Sequence, residues 1–594
     1  MTLQLLPEGT TRVSRGRPFP ALLAGILALA LLLPAVQAGQ LAGALISVIV
    51  REAPGSGSLP EQLVESSGGT VTRELPIIGG FAAELPRGAL ARVAADPAVV
   101  SITPNAPLQM QGSNYSPGSD VGSMHSTMRL IGANSFWSSG FTGSGVDVAI
   151  IDSGVSPVLG LSEAGKVIRG PDLSFESQAA NLRFLDTFGH GTFMAGLIAG
   201  HDPGAQANLG QAVTGYSGVA PGARIVSVKV ADAHGATDVS QVIAAIDWVV
   251  QHRRDNGMNI RVLNLSFGTY GAQPYTLDPL AFAAEVAWHS GLFVVVAAGN
   301  NAPASGRLMN PAMDPFVMAV GAASPNGTVP TRDDVLMASS ARGDGVRNPD
   351  LVAPGRSLQG LRVPGSYIDQ TFPAGRISDR FFRGSGTSQA AAIVSGAAAL
   401  VIQQRPAITP DQLKALLTST ADALPAADVR GQGAGMLNLG DAFRAPTTLS
   451  VQAFARSTGT GSLELARGGN HLVLDGVVLE GEQDIFGAAF DSATMAAQTL
   501  AGTSWTGGTW NGSVWAGPGW AGNEWSTIEW ESATWSGNEW SGNEWSANEW
   551  SGSEWSASEW SASEWSASEW SASEWSASEW SSEGWQTMEW SSSR

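Results

Sequence analysis

Apolar runs rich in valine and isoleucine recur through the middle of the chain, separated by stretches whose apolar positions have helical spacing. Continuous apolar strands that alternate with helices are typical of a parallel sheet covered on both faces. The pattern predicts an α/β domain with a doubly wound, mostly parallel sheet. The predicted strands are 146–151, 224–230, 260–266 and 291–298, and the clearest helices are 238–251 and 279–290.

A shorter pattern precedes this domain. Between residues 42 and 104, apolar runs and turn residues predict the order strand, helix, strand, strand, helix, strand. This β-α-β-β-α-β order is that of the split βαβ, or ferredoxin-like, arrangement. We therefore expect a small α+β module ahead of the α/β domain.

Residues 1–38 have the pattern of a secretory signal peptide. Three arginines, Arg12, Arg15 and Arg17, precede the apolar run 21–33, and small residues lead to an expected cleavage after Ala38. The apolar run is short for a membrane span, and an N-terminal anchor is the alternative. We expect the protein to be secreted, either extracellular or associated with the cell surface.

Composition narrows the function classes. The 594 residues carry a formal net charge of −20, which argues against nucleic acid as a partner because phosphate binding requires lysine and arginine. The sequence has no cysteine, which excludes disulfides, thiolate metal sites and a cysteine nucleophile.

Polar side chains follow three of the predicted strands. Asp152, Ser266 and Asn300 each end an apolar run, and sites gather at the carboxyl ends of parallel strands. Two further residues begin helical stretches, His190 in "GHGT" and Ser388 in "GTSQAA". A serine in such a place also caps a helix, so this motif alone leaves the nucleophile and the helix cap as alternatives.

Together these motifs resemble those of subtilisin-like serine proteases, the subtilases. The chain order Asp152, His190, Ser388 is that of the subtilisin triad, and "GVAPGARIVSVKV" and "NPDLVAPG" accompany it. The resemblance covers residues 120–445, and the module at 39–110 resembles the inhibitory propeptide of the family. Residues 389–393, after the serine, depart from the usual Met, Ala, small residue, Pro and His.

The resemblance implies a role for each motif. Ser388 is the nucleophile, His190 the general base and Asp152 the carboxylate that orients the imidazole. The Asn300 amide and the Ser388 main-chain N–H form the oxyanion hole. A helix N-terminus also favours a developing negative charge, so Ser388 can begin a helix and attack. The implied function is a secreted serine endopeptidase, self-activated by propeptide cleavage between residues 105 and 120.

The resemblance also implies where a protein or peptide substrate lies. The edges 266–268 and 232–236 are expected to bind an extended peptide as an added strand. The primary pocket is expected to be lined by Phe267 and residues 297–299 and to favour large apolar or aromatic side chains, with a core position for Phe267 as the alternative. The expected contact residues are Ser266, Phe267, Gly268, Gly235, Ala298 and Gly299.

No cofactor is expected for catalysis. Structural calcium is common in the family, but its ligands cannot be assigned from this sequence. Asp202 and Asn208, in the loop 200–218, are candidate oxygen donors. Acidic loop residues are more often only solvated, because a calcium site needs several converging oxygen atoms.

After residue 446 the character of the chain changes. Residues 446–500 predict a small β appendage or a linker. Tryptophan then recurs at every fifth position from Trp505 to Trp590, which accounts for 18 of the 21 tryptophans, and the segment 501–594 is acidic. A period of five gives a single aromatic face neither on a helix nor on a strand. The repeat therefore has two alternative structures. One is a β-type solenoid with one turn per repeat, and the other is a flexible tail.

The repeat tail suggests a second class of function. It is a candidate to bind a cell surface or a polysaccharide, or to assemble with itself. In that case the chain is a surface-binding or adhesive protein on an inactive protease scaffold. The intact set Asp152, His190, Ser388 and Asn300 argues against this alternative. Self-processing distinguishes the two classes, because only an active enzyme removes its own propeptide.

Overall fold

The computed structural model describes residues 45–105, 116–179, 181–203, 215–302, 307–474, 477–515 and 531–532. The chain divides into two compact units, with the boundary after Gly112. The predicted signal peptide lies outside the described residues, as does most of the tryptophan repeat. Within the described part of the chain, no helix has the length and apolar character needed to cross a membrane.

The N-terminal unit has the predicted β-α-β-β-α-β order. Its antiparallel sheet has the strand order β2-β3-β1-β4. Val48 and Val50 of β1 are buried because alternate side chains of a strand point to the same face, where Phe81 and Val64 complete the core. The elements are β1 Leu45–Glu52, α1 Leu59–Ser66, β2 Thr70–Leu75, β3 Gly80–Pro86, α2 Leu90–Ala94 and β4 Val99–Pro104.

The second unit contains the predicted mostly parallel sheet. Its strand order is β11-β10-β9-β8-β5-β7-β6, with β12 pairing with β10 in parallel and β11 pairing with β10 antiparallel. A separate hairpin is formed by β13 and β14. The strands are β5 Asp147–Asp152, β6 Val167–Asp172, β7 Arg224–Lys229, β8 Ile260–Leu265, β9 Phe293–Ala297, β10 Met318–Ser324, β11 Val335–Leu336, β12 Leu351–Pro354, β13 Leu358–Leu361 and β14 Phe381–Gly384.

The helices of this unit confirm the α/β prediction, because the stretches 238–251 and 279–290 both form helices. Asp238 and Asp278 cap them by accepting main-chain N–H bonds in the first turn. The helices are α3 Met124–Leu130, α4 Asn134–Trp137, α5 His190–Ala199, α6 Val239–His252, α7 Pro279–His289, α8 Tyr367–Thr371, α9 Thr387–Gln404, α10 Pro410–Ser419, α11 Val429–Gln432 and α12 Leu439–Arg444.

Two pairs of helices pack against one another in this unit. Helices α5 and α9 form one pair, and α6 and α7 form the other. Helix α5 is buried throughout, and α9 is buried from Thr387 to Ile402. The small residues of α9 let it lie in the core, in contact with the strands β8, β9 and β10.

Residues 446–515, here called the C-terminal extension, contain helices as well as the expected short strands and pack on α6 and α7. Two hydrogen bonds join the extension to this region: the Ser457 main-chain N–H donates to the carboxylate of Glu285 in α7 at 2.8 Å, and the Ala272 N–H, ahead of α7, donates to the Leu465 carbonyl oxygen at 2.7 Å. The elements are α13 Leu463–Arg467, β15 Leu472–Leu474, β16 Val477–Val478, α14 Ser492–Ala501, β17 Trp505–Thr506, β18 Thr509–Trp510 and β19 Ser513–Val514. Beyond the extension, β20 Glu531–Ser532 pairs with β15 antiparallel.

The first three tryptophans of the repeat form a compact antiparallel meander. Trp505 of β17 pairs with Trp510 of β18, and Trp510 and Trp515 pack edge to face with ring centroids 5.2 Å apart. The three strands begin at residues 505, 509 and 513, and the two-residue turns between them reverse the chain twice. All three rings are buried, so these three form an anchor on the second unit instead of an exposed aromatic platform.

Asp247 of α6 holds this anchor. Its Oδ2 accepts hydrogen bonds from Trp510 Nε1 at 2.9 Å and from Thr499 Oγ1 at 3.1 Å. Burial raises the pKa of Asp247 from 3.8 to about 6. A raised pKa means that the folded state binds this proton more tightly than the unfolded chain. The protonated Asp247 carboxyl group therefore contributes fully to the free energy of unfolding below pH 4, and this contribution is lost as the pH rises through 6.

We expect Asp247→Asn to remove this pH dependence. Between pH 4 and pH 7, the free energy of unfolding of the variant should rise by about 2 kcal/mol relative to the parent protein. Urea unfolding at several pH values, with Ser388→Ala in both proteins to prevent autolysis, measures the difference. Asp255→Asn, at an exposed position, is the control. A difference that stays constant with pH would contradict the assignment.

Candidate active site

Three of the predicted site residues lie at the carboxyl ends of neighbouring strands. Asp152 ends β5, Ser266 directly follows β8, and Asn300 comes three residues after β9. The strands β5, β8 and β9 are adjacent and parallel. The sheet therefore places these three polar residues along one edge, as the sequence predicts.

His190 joins Asp152 through a buried hydrogen bond. The Nδ1 atom of His190 lies 3.0 Å from Oδ1 and 3.1 Å from Oδ2 of Asp152, and both side chains are almost fully buried. Gly191 permits the approach, because a Cβ atom there would lie 2.2 Å from the carbonyl oxygen of Gly154. The carboxylate selects the tautomer that carries hydrogen on Nδ1, so Nε2 is the basic nitrogen.

Asp186 supports this pair, and the sequence analysis did not identify it. Its carboxylate accepts hydrogen bonds from the main chain of Gly189 at 2.6 Å and Thr192 at 2.7 Å, which fixes the first turn of α5. Ser153 Oγ donates to Asp186 at 2.8 Å and lies 3.2 Å from Asp152. Burial raises the pKa of Asp186. A carboxylate four residues before His190 was the signal that could have revealed it.

Lys229 is a second supporting residue that the sequence analysis missed. Its Nζ donates to the carbonyl oxygens of Ser153 at 2.8 Å and Leu185 at 2.7 Å, and it pairs with Glu176 at 2.8 Å. Burial alone would lower the pKa of Lys229, but the nearby Glu176 and Asp172 carboxylates raise it overall. Lys229 thus ties together the chain segments that follow Asp152 and precede His190.

Ser388 is the second residue of α9. Its Oγ donates to the carbonyl oxygen of Ser266 at 3.0 Å, so the serine lies against the end of β8. Helix α9 packs on α5, which begins with His190. The unusual residues 389–393 leave α9 unbroken from Thr387 to Gln404. Ser388 therefore lies in the first helical turn, as the sequence predicts.

Asn300 is held next to this turn by Thr387. The Asn300 Oδ1 atom accepts the Thr387 main-chain N–H at 2.9 Å and lies 3.1 Å from Thr387 Oγ1. This arrangement makes Oδ1 the accepting end of the amide and Nδ2 the donating end. The structure thus brings a side-chain N–H donor and the start of α9 together, which is the chemistry an oxyanion hole requires.

The structure places the predicted substrate contacts in three surroundings. Gly268 and Gly299 lie against the Met309 side chain, and Ala298 accepts the Met309 main-chain N–H at 3.1 Å. Phe267 is buried, and it lines a cleft together with Thr237, Asp238, Val239, Val242, Gly268, Thr269, Leu280 and Asn470. Gly235 has a φ of 78° and lies against the Phe188 ring, where a Cβ atom would be 3.1 Å from that ring.

The candidate calcium donors do not form a site among the described residues. The Asp202 carboxylate is paired with Arg380 at 2.5 Å and accepts the Tyr216 main-chain N–H at 2.9 Å. Asn208 lies outside the residues that the structure describes. The calcium ligands therefore stay unassigned.

The family comparison matches the part of the chain that contains Asp152, His190, Asn300 and Ser388. A sequence model of the subtilase family matches residues 143–436. Serine protease AprX of Bacillus subtilis (strain 168) is 36% identical over 50% of this chain and 66% of its own length. Subtilisin Savinase of Lederbergia lenta is 33% identical over 50% of this chain and 90% of its own length.

A structural comparison found fervidolysin from Fervidobacterium pennivorans, described as a keratinolytic enzyme related to subtilisin. It has 24% sequence identity and a TM-score of 0.44, over 68% of this chain and 62% of the other.

Proposed function

The chain belongs to the subtilase family, and on that premise we propose that it is a secreted serine endopeptidase that hydrolyses peptide bonds through Asp152, His190 and Ser388. The observation that carries the proposal is the buried hydrogen bond of 3.0 Å between His190 Nδ1 and Asp152. It leaves Nε2 as the nitrogen that takes a proton. A serine in the first turn of the helix that packs on α5 supplies the nucleophile.

The proposed reaction proceeds in two halves. In the first, Ser388 Oγ forms a bond with the substrate carbonyl carbon while its proton passes to His190 Nε2. The carbon–nitrogen bond then breaks, and the same proton goes to the leaving amine. In the second half, water loses a proton to Nε2 and attacks the acyl carbon, and the proton returns to Ser388 as the acid leaves. Asp152 stabilises the cationic ring and stays ionised.

Each tetrahedral intermediate carries a negative oxygen. The Asn300 amide and the Ser388 main-chain N–H are the proposed donors, and the N-terminal end of α9 adds its positive dipole. Asn300 is suited to this role because Thr387 binds its oxygen at 2.9 Å, which turns the amide nitrogen into the donating end. The reaction needs no cofactor, since every proton moves between side chains, substrate and water.

We further propose that residues 39–110 are an inhibitory propeptide that the enzyme removes itself. The ferredoxin-like N-terminal unit supports this, because it folds around a core of its own. The segment 105–120 is the proposed region of cleavage, since it is the polar stretch of sequence that links the two compact units.

Self-processing is the test of this part of the proposal. The secreted wild-type protein should lose residues 39 to a point between 105 and 120, and Ser388→Ala should retain them. Intact mass and N-terminal sequencing give the readout. Ser227→Ala, at another buried serine of the sheet unit, should be processed like wild type. Equal processing of purified wild type and Ser388→Ala would show that another protease makes the cut.

The surface-binding alternative has less support. An inactive scaffold has no need for a buried His190 and Asp152 pair, or for the two supporting residues Asp186 and Lys229 that hold the adjoining chain. The tryptophans Trp505, Trp510 and Trp515 are buried. A ligand of the later repeats, whether a cell surface or a polysaccharide, stays a prediction.

A further inference from the structure

The Met309 side chain lies against Gly299, which is expected to line the primary pocket, and against Gly268 of the expected substrate edge 266–268. A Cβ atom added to Gly299 would lie 2.5 Å from Cγ and 2.6 Å from Sδ of Met309. A Cβ atom added to Gly268 would lie 3.0 Å from Cβ and 3.5 Å from Cε of the same methionine. One side chain therefore contacts both glycines, each on the face where a Cβ atom would stand.

The main chain holds Met309 in this place. Its N–H donates to the carbonyl oxygen of Ala298 at 3.1 Å, next to Gly299. The following residue, Asn310, exchanges two hydrogen bonds with Thr269, at 2.8 Å and 2.9 Å, next to Gly268. Met309 is 2% exposed. The segment is thus bonded next to both glycines, and its side chain cannot move away from them by a simple shift of the chain.

Phe267 lines a cleft beside Val239, Val242 and Leu280, and no hydrogen bond or ring contact described for it involves Met309. The size of the pocket between Gly268 and Gly299 is consequently decided by Met309. A large substrate side chain that enters there meets atoms of Met309, whereas a methyl or hydroxymethyl group needs little room.

We propose that Met309 closes the primary specificity pocket, so that the enzyme cleaves after small residues such as alanine and serine and discriminates against phenylalanine and leucine. The inference rests on the proposed endopeptidase function and is the opposite of the preference expected from the sequence. The substrate class is proteins and peptides with a small residue on the amino side of the cleaved bond. Close packing makes one side chain of this size decisive, because interiors have little spare volume.

The test uses peptide anilides that differ only in the residue before the cleaved bond, which is Ala, Leu or Phe. The processed wild-type protein should cleave the Ala peptide with a kcat/KM at least about tenfold above that for Phe. Met309→Gly should raise kcat/KM for Phe by about tenfold or more. Met309→Leu, which keeps the pocket filled, should retain the preference of wild type. Met436→Ala, a buried methionine in a separate core cluster, controls for the general effect of truncating a core methionine.

Several outcomes would overturn the inference. If wild type cleaves the Phe and Ala peptides with equal kcat/KM, the flexible Met309 side chain moves aside when the substrate binds, and the inference is wrong. If Met309→Gly folds and keeps the preference of wild type, another residue sets it. If Met309→Gly does not fold, the ratio of kcat/KM for the Ala and Phe peptides in wild type alone decides whether the inference holds. If processed wild type cleaves none of the peptides nor unfolded casein, the endopeptidase proposal fails, and this result is distinct from a wrong pocket size.

Discussion

Ser388→Ala is expected to lower kcat for peptide hydrolysis by a factor of about 10⁶, the size known for the equivalent exchange in subtilisin. The variant lacks the Oγ that forms the acyl intermediate in the proposed mechanism, and neither His190 nor Asp152 can replace it. Residual hydrolysis would come from water activated at the same site and from the oxyanion donors. The measurement compares wild type and variant on one peptide, after residues 39–110 have been removed from both by an added protease.

The three catalytic groups should behave as one unit. His190→Ala alone should cost about as much in kcat as Ser388→Ala, and the double variant should be no slower than either single variant. Additive losses would mean that the two residues act separately, which the mechanism does not allow. Circular dichroism and the unfolding midpoint of each variant would establish that only the chemistry has changed.

Arg467→Ala is expected to destabilise the second unit by about 3–5 kcal/mol. Arg467 in the C-terminal extension and Asp238 at the N-terminus of α6 are both buried, and their charged groups lie 2.7 Å apart. Burial alone would raise the pKa of Asp238, but Arg467 lowers it overall. Removal of the guanidinium leaves a buried carboxylate without its counter-charge, and this carboxylate also caps α6.

Urea unfolding in the Ser388→Ala background measures this loss. Arg444→Ala is the control, because Arg444 and its partner Asp441 are 69% and 52% exposed, and such a pair contributes under about 1 kcal/mol. Equal effects of the two substitutions would show that the C-terminal extension contributes little to the second unit. A large effect of Arg467→Ala alone would show that residues beyond 446 are part of the folded catalytic unit.

The sequence predicts the sheet and the residues at its edge well, for a simple physical reason. A parallel strand buried on both faces needs a continuous apolar run, so a polar residue such as Asp152 or Ser266 marks the point where the strand ends. The glycines on both sides of His190 mark a close approach of the backbone. These signals are local, so they can be read without knowledge of the packing.

The features that the sequence does not predict depend on contacts between segments that are distant along the chain. Met309 lies in an unremarkable stretch, and only the folded chain shows that it lies against Gly268 and Gly299. Arg467 is one arginine among short apolar runs, and its partner Asp238 comes 229 residues earlier. Asp186 and Lys229 act through the neighbours of the catalytic residues. Such pairings leave no periodic pattern, so the extension at 446–515 could not be distinguished from a linker.

Labelling with a fluorescent fluorophosphonate tests the central claim most directly, because the reagent bonds to a serine only when a neighbouring base and an oxyanion hole activate it. The account predicts one adduct on processed wild type, mapped by peptide mass to Ser388, and none on Ser388→Ala. Processed wild type that takes up no label, with residues 39–110 removed in trans and the fold intact, would contradict the claim that this chain is a working serine protease.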